Sequence, residues 1–452
     1  MGAGPLEEAG VEERVNEVPM LTPDHVPSPV VAPEQMAAVD SSPSVMRPIP
    51  GSRMFEIRDA LAVYRRANPD GTMFDASQGD GGASLPGVSG EVLERAAELQ
   101  REHGTGYDKP FGTDMFRRAV VEDYWGLDPR TGWGPGNVIA CQGGRDALEK
   151  VYRAMLFLGH GRLGDFLVVS RVPWISYNWG PYAVGANVLR APGEEAAAWE
   201  LTPEGIAACV ELAGSLGDRK VAGVVITSPD NPTGRTLTAE RQLELAVSAF
   251  RAGVPFVIFD WIYNRVTDNE PHDISGFLGA MDTADRERCI FLDGITKSLG
   301  ASNIRNAHLL ASEPVVGFIQ SRASHAVIPS FHSQAVAIAA YRMGFGLAAR
   351  GIVEPTNRSR ARLAELLEER GIRHILGKGY YAFIDVGHWL DRAGLADSAA
   401  LGSILAERHG LAIVPGVYFS EFGRRWIRFS YALPPETTAG AADRLFTALD
   451  TL

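Results

Sequence analysis

Between about residues 90 and 330, short apolar runs alternate with segments that have helical periodicity. The runs are apolar throughout, which is typical of strands that are buried on both faces of a sheet. Regular alternation of such strands with helices predicts an α/β fold with a mostly parallel, seven-stranded type of sheet covered by helices on both sides. The runs are VIACQ, FLVVSR, VAGVVITSP, PFVIFDW and CIFLDG.

The sequence as a whole predicts a division of the chain into four parts. Residues 1–50 are rich in Pro, Glu, Ala and Val without a sustained period, which is typical of an extended, disordered arm. In the last part, Pro355 is expected to separate two helices, and Thr356 or Asn357 is placed to cap the second one. The four parts are the arm (1–50), a segment that packs with the small domain (51–90), a large domain (91–330) and a small α+β C-terminal domain (331–452).

Composition and charge exclude several classes of partner. The net charge of -12 disfavours nucleic acid and anionic membrane surfaces as partners. No apolar run reaches the roughly 18 residues that a membrane-spanning helix needs. Cys141, Cys209 and Cys289 are far apart and odd in number, so they predict neither a disulfide framework nor a metal site. We therefore expect a cytoplasmic protein without a metal, a membrane or a nucleic-acid partner.

Chemically useful residues follow several of the predicted strands, at the edge where open α/β sheets bind ligands. Gly143 and Gly144 lie between a strand and a helix, where free N–H groups favour a phosphate, although an ordinary tight turn has the same pattern. Trp174 is placed to stack on a flat ring, although an aromatic in such a position is more often part of a core. Asn231 begins a sharp Asn-Pro-Thr-Gly turn after the next buried strand.

Charged residues end two further strands. Asp260 closes an apolar run and needs a partner, because an unpaired buried charge is costly. That partner is either an arginine of the chain or a ring nitrogen of a cofactor, and Tyr263 follows three residues later. Lys297 is one of only five lysines, and it precedes Arg305 by eight residues in apolar surroundings. Two surface cations on a loop would fit those surroundings poorly.

Pyridoxal 5'-phosphate meets the demands of all these segments. Its aldehyde would bond Lys297, and its phosphate would bind Arg305 bidentately. Its ring nitrogen would pair with Asp260, and its ring oxygen would accept from Asn231 and Tyr263.

In order and spacing, these motifs resemble the class I/II aminotransferases, which are fold type I pyridoxal-phosphate enzymes. The resemblance runs from about residue 70 to the C-terminus. It rests on the Asn-Pro-Thr-Gly turn at 231–234, on Asp260 followed by Tyr263, and on Lys297 followed by Arg305.

The resemblance implies roles for individual residues. Lys297, Asp260 and Tyr263 would be catalytic, and Arg428 and Gly79 would bind the substrate. Tyr107 would reach the phosphate bound in a neighbouring subunit, so a homodimer with a shared active site is expected. The implied cofactor-binding residues are Gly143, Gly144, Arg145, Trp174, Asn231, Asp260, Tyr263, Thr296, Lys297, Arg305 and Tyr107.

Two departures from the family pattern bear on the reaction. The serine expected three residues before the lysine is Gly294, for which Thr296 or Ser298 is expected to substitute, and the usual tyrosine after the phosphate arginine is His308. We expect these changes to alter the wall beside the cofactor. The expected activity is that of an aminotransferase of specialised biosynthetic metabolism acting on an α-amino acid. The alternatives are a lyase, replacement, cyclising or carbon–carbon bond-forming enzyme on the same fold and, more remotely, a non-catalytic regulator.

Overall fold

The computed structural model describes residues 49–452 except 52, 161, 217–218 and 268–271, so most of the predicted arm lies outside the described residues. The strands in this part of the chain are β1 (Phe74–Asp75), β2 (Val138–Cys141), β3 (Phe166–Val169), β4 (Asn187–Arg190), β5 (Val221–Thr227), β6 (Val257–Asp260), β7 (Cys289–Asp293), β8 (Ala307–Ala311), β9 (His374–Leu376), β10 (Tyr381–Asp385), β11 (Leu411–Ala412), β12 (Val414–Pro415) and β13 (Trp426–Ser430).

The α-helices alternate with these strands in the first two thirds of the chain. They are α1 (Met54–Ala67), α2 (Gly90–His103), α3 (Asp114–Ala119), α4 (Gly144–Leu158), α5 (Ile175–Trp179), α6 (Pro203–Ser215), α7 (Ala239–Arg251), α8 (Ile274–Gly279), α9 (Thr283–Arg286), α10 (Ile295–Ser298), α11 (Glu313–Ala323), α12 (Phe331–Arg342), α13 (Phe345–Ala348), α14 (Arg350–Glu369), α15 (Gly387–Ala393), α16 (Ser398–His409) and α17 (Pro435–Asp450). A single π-helical turn, Val120–Trp125, continues α3.

Seven strands form the large sheet, in the order β2-β8-β7-β6-β5-β3-β4. Only β8 runs against its neighbours, and the other adjacent pairs are parallel. Nearly every residue of these strands is buried, because helices cover both faces. The predicted mostly parallel sheet is therefore confirmed. Its topology brings the carboxyl ends of β2, β3, β5, β6 and β7 to one edge.

A second, smaller sheet forms in the C-terminal part of the chain. Its four strands are antiparallel in the order β12-β13-β10-β9, and α14, α16 and α17 contribute leucines to the core around it. The predicted α+β C-terminal region is confirmed. The N-terminal segment joins this part, since β1 pairs in parallel with β11 and α1 packs against α16.

The helix after residue 330 belongs to the core of the large sheet. α12 is buried along nearly its whole length and packs against α2 and α3, and the same core extends to Ala349. We therefore propose a division between the two parts near residue 350, in place of the predicted 331. The predicted helix break at Pro355 is wrong, because α14 runs through it. Pro355 lies in the second turn, where it removes only one backbone hydrogen bond.

Candidate active site

The carboxyl ends of the large-sheet strands border a cavity of about 680 Å³. Side chains from β13 and β10 of the small sheet and from α1 close its other side. The structure thus brings together most of the predicted site residues, although they are up to 349 positions apart in the chain (Gly79 to Arg428). The predicted residues that line the cavity are Gly79, Gly144, Arg145, Trp174, Asn231, Asp260, Tyr263, Thr296, Lys297, Arg305 and Arg428.

Lys297 lies on α10, the single helical turn that follows β7. Its Nζ donates a hydrogen bond to the carbonyl oxygen of Gly79, and its own carbonyl oxygen accepts one from the hydroxyl of Tyr380. Burial lowers the pKa of Lys297, although the neighbouring Tyr381 and Asp80 oppose this effect. A lowered pKa increases the fraction of neutral amine, which is the nucleophilic form that attacks an aldehyde.

Asp260 ends β6 in full burial. One carboxylate oxygen accepts from the Tyr177 hydroxyl at 2.6 Å, and the other accepts from the Ile262 N–H at 3.1 Å. Burial raises the pKa of Asp260 to about 6, against the lowering effects of Tyr177, Ile262 and Lys297. Within the described ranges Asp260 forms no ion pair with an arginine, so the alternative of an internal salt bridge is not what is observed. A cationic ring nitrogen in the cavity would supply its missing partner.

Arg428 approaches the same cavity from β13. Its guanidinium donates to Asn231 Oδ1 at 2.8 Å and to the Ser77 carbonyl oxygen at 2.7 Å. The first bond orients the Asn231 amide so that its Nδ2 faces the Tyr263 hydroxyl, 3.4 Å away. The Nε of Arg428 is buried without a hydrogen-bond partner in the described part of the chain. Each terminal nitrogen makes one of these bonds and so keeps a second N–H, which an incoming carboxylate could accept.

The glycine turn after β2 meets Arg305. Gly143 has a φ of 81° and precedes α4, whose first N–H groups are free for an anion. A Cβ at Gly143 would collide with the guanidinium of Arg305, which donates to the carbonyl oxygens of Ser302 (2.8 Å) and Gln142 (3.2 Å). Glycine at this position thus permits a guanidinium and a helix N-terminus to face the same small volume, as phosphate binding requires.

Trp174 forms a half-buried wall of the cavity. It contacts Tyr177 edge-to-face, with ring centroids 5.3 Å apart, and the guanidinium carbon of Arg145 lies 5.6 Å from its ring centroid. Trp174 both packs against the core of the large sheet and lines the cavity, so the two alternatives are not exclusive. Its exposed surface is suited to stacking on a planar ligand.

Tyr107 is not brought to the cavity. Its side chain is 99% exposed in the single chain, so its predicted reach into a neighbouring subunit remains a prediction. The expectation that Gly294 and His308 alter the cavity wall is wrong, because neither lines the cavity. His308 is fully buried and accepts from Trp125 Nε1 at 2.9 Å, and burial lowers its pKa to about 3. At Gly294, a Cβ would collide with the backbone of the next strand.

The two hydroxyls expected to replace the missing serine differ in placement. Thr296 lines the cavity and donates to the carbonyl oxygen of Asn306, whereas Ser298 donates to the carbonyl oxygen of Gly294 and lies outside the cavity. Ser302 also lines the cavity and was not predicted. Ser302 donates to Asp80 Oδ2 at 2.7 Å, so either hydroxyl would have to give up its present bond in order to donate to a phosphate.

Further lining residues escaped the sequence analysis: Tyr177, Tyr381, Met54 and Arg58. Tyr177 had a detectable signal, since it lies three residues after Trp174 in a helical segment and so shares its face. Tyr381 and Arg58 reach the site by tertiary packing from β10 and α1, and their local sequence gives no hint of it.

Pyridoxal phosphate fits these groups. The site offers a buried amine with a lowered pKa, a buried carboxylate that has no ion-pair partner in the described part of the chain, and a glycine turn that a Cβ would fill. It also offers an amide and a phenol side by side for a ring oxygen. Together with the large mostly parallel sheet, these features define a pyridoxal-phosphate enzyme of fold type I.

Comparison with known proteins identifies the family. The model of the family "Aminotransferase class I and II" matches residues 69–445. The chain belongs to this family and is a pyridoxal-phosphate-dependent enzyme. Aspartate aminotransferase of Bacillus subtilis is 24% identical over 365 residues, which cover 78% of this chain and 86% of that protein. A probable N-acetyl-LL-diaminopimelate aminotransferase of the same organism is 29% identical over 226 residues, which cover 49% of this chain and 54% of that protein.

Solved structures show the same fold. Aspartate aminotransferase from Thermus thermophilus with maleate superposes with a TM-score of 0.74 at 22% identity, covering 89% of this chain and 97% of that chain. The aspartate aminotransferase from Thermotoga maritima gives a TM-score of 0.73 at 22% identity, covering 89% and 98%. No helix among the described residues is long and apolar enough to cross a membrane.

Proposed function

We propose that the protein transfers the amino group of an α-amino acid to a 2-oxo acid, with Lys297 as the residue that bonds the cofactor. One observation carries the proposal: a buried amine of lowered pKa, a buried carboxylate with no ion-pair partner among the described residues, and an arginine whose terminal nitrogens each keep a second N–H line one cavity. Bound pyridoxal phosphate supplies an electron sink for bonds broken at the substrate's α-carbon.

Each residue of the chain has a defined part in this proposal. Arg428 binds the substrate's α-carboxylate. Lys297 would bond the cofactor and would serve as the general base for the proton on the substrate's α-carbon, a role that typically contributes about 10²–10⁴-fold. Asp260 holds a proton on the ring nitrogen, and Asn231 and Tyr263 donate to the ring oxygen.

The outer part of the cavity supports an acidic substrate. The exposed Arg58 lines it, so one guanidinium is available beyond those assigned to the cofactor and the α-carboxylate. Relatives with aspartate aminotransferase in their names support the same choice. We therefore propose an α-amino acid whose side chain carries an anionic group.

Three finer predictions belong to this proposal. The protein forms a homodimer in which Tyr107 contacts the cofactor phosphate of the partner, it acts in the cytoplasm, and it serves specialised biosynthesis. The 99% exposure of Tyr107, an aromatic side chain, in the single chain supports the first of these.

The test is a single-turnover assay on the protein loaded with pyridoxal phosphate. A panel of amino acids is added, and the cofactor absorbance and the 2-oxo acid released are measured together. Conversion of the cofactor to its aminated form, with one equivalent of 2-oxo acid, supports transamination.

Two matched variants make this assay specific. Lys297→Ala should abolish both signals, whereas Lys220→Ala, at an exposed lysine away from the cavity, should change neither. Loss of a substrate side-chain group, or a new carbon–carbon bond without cofactor amination, would replace the proposal with the lyase or bond-forming alternative.

A further inference from the structure

Tyr381 and Tyr263 form a pair of buried phenols at the cavity wall. Their hydroxyl oxygens are 2.9 Å apart. Tyr381 belongs to β10 of the small sheet, whereas Tyr263 lies in the turn after β6 of the large sheet, so the hydrogen bond joins the two sheets. Neither the sequence pattern nor the family motifs assigned a role to Tyr381.

The Tyr381 hydroxyl lies at the centre of the site. It occupies the position that a Cβ on Gly79 would take, and the carbonyl oxygen of Gly79 accepts from Lys297 Nζ. The guanidinium of Arg428 lies over the Tyr381 ring, 4.1 Å from its centroid, and so contacts the ring face and not the hydroxyl. Among the described residues, the hydrogen-bond partner of the Tyr381 hydroxyl is the Tyr263 hydroxyl, so the Tyr381 proton can be donated to Tyr263.

The donor inventory sets the direction of the hydrogen bond in the loaded enzyme. A phenol has one proton to donate. Burial raises the pKa of Tyr263 well above its usual value, so Tyr263 is protonated at neutral pH. If Tyr263 donates its proton to the cofactor ring oxygen, its own oxygen becomes an acceptor, and Tyr381 is the hydroxyl that the structure places against it. Consecutive hydrogen bonds polarise each other, so the second phenol strengthens the donation of the first.

We propose that Tyr381 is a positioning residue that acts through Tyr263 on the ring oxygen of the cofactor. The chain of donation runs from the Tyr381 hydroxyl to the Tyr263 hydroxyl and on to the ring oxygen. This inference rests on the proposed function, since it assumes that the cofactor's ring oxygen faces Tyr263. It adds a residue of the small sheet to the groups that set the cofactor's proton affinity.

The experiment is a pH titration of the absorbance of the bound cofactor. Negative charge on the ring oxygen holds a proton on the nitrogen between Lys297 and the cofactor. Hydrogen-bond donors to that oxygen lower the proton affinity of this nitrogen. Removing the Tyr381 hydroxyl should therefore raise the titration midpoint. For one neutral hydrogen bond acting through an intermediate group, we expect a rise of about half to one pH unit in Tyr381→Phe.

Matched variants separate this role from a structural one. In the Tyr263→Phe background, Tyr381→Phe should produce no further change, because its route to the ring oxygen is gone. Tyr431→Phe removes another buried phenol hydroxyl beside the small sheet, which donates to the Gly377 carbonyl oxygen at 3.3 Å, and it should leave the midpoint unchanged. If Tyr381→Phe does not fold, Tyr381→Met, which also lacks the hydroxyl, carries the same expectation.

The outcomes distinguish the two proposals. A midpoint in Tyr381→Phe equal to or below that of the wild type overturns the inference and leaves the proposed function intact. The inference is also overturned if Tyr381→Phe shifts the titration midpoint equally with and without the Tyr263 hydroxyl, because Tyr381 would then act by another route. If the cofactor absorbance of Lys297→Ala equals that of the wild type, both proposals are overturned.

Discussion

Replacing Arg428 by lysine tests the substrate carboxylate site while keeping its positive charge. The planar guanidinium holds Asn231 Oδ1 and the Ser77 carbonyl oxygen with its two terminal nitrogens, and each of these keeps a second N–H. A lysine ammonium is a point charge on a flexible stem and cannot reproduce this fork. The variant should therefore bind the carboxylate with fewer and less well-oriented hydrogen bonds.

The expected magnitude follows from that loss. A hydrogen bond to a charged group contributes about 1.5–3 kcal/mol. If Arg428→Lys loses one such bond to the carboxylate in the transition state, kcat/KM falls about 10- to 150-fold, since each factor of ten corresponds to about 1.36 kcal/mol.

The assay compares an amino acid with the amine that has the same side chain but no α-carboxylate. The loss should be confined to the amino acid, so the ratio of the two kcat/KM values changes. Arg190→Lys is the matched control, because Arg190 is also a buried arginine but contacts Ser420 and lies outside the cavity lining. An equal loss for both substrates in Arg428→Lys would refute the reasoning, since Arg428 would then act by holding the fold.

Three more predictions concern the cofactor and the outer cavity. A bound ring nitrogen should stabilise ionised Asp260 and lower its pKa from about 6. The affinity for pyridoxal phosphate should therefore fall as the pH drops below about 6. Equilibrium binding titrations from pH 5 to 8 should show this dependence in the wild type and not in Asp260→Asn. Gly143→Ala should weaken cofactor binding much more than Gly144→Ala. A Cβ at Gly143 would collide with the Arg305 guanidinium, whereas a Cβ at Gly144 would make only a van der Waals contact with Leu292. Equal dissociation constants for the two variants would contradict this. Arg58→Ala should raise KM for an acidic amino acid about 1.5- to 5-fold, as expected for an exposed charge pair, and leave KM for a neutral one unchanged.

The large sheet and its site loops could be predicted because their signals are local. Lys297, Asp260 and Asn231 each follow a continuous apolar run, so strand ends and parallel topology together predict that they meet. Tyr381 belongs to an equally apolar run, but its arrival beside Tyr263 depends on how the small sheet docks. The periodicity of apolar residues in the local sequence does not predict such a contact.

The expectations about His308 and α12 have the same origin. His308 was expected at the cavity wall because it stands where the family pattern has a tyrosine after the phosphate arginine, but it is buried in β8, where it accepts from Trp125 Nε1. α12 was assigned to the small domain because the pattern of apolar residues changes near residue 330; we propose the later division because α12 packs against α2, more than 200 residues away in the chain. Sequence position was a good guide to strand ends and a poor guide to which core a helix joins.

The cavity is lined by residues from both sheets. Lys297, Asp260 and the glycine turn lie at the ends of strands of the large sheet, whereas Arg428 and Tyr381 belong to the small one. Under the proposed assignment, most of the groups that hold the cofactor lie between residues 143 and 305, whereas Arg58 and Arg428, which hold the substrate, lie outside that range. Mutations outside that range can therefore change the preferred substrate while most of the groups that hold the cofactor are inherited unchanged.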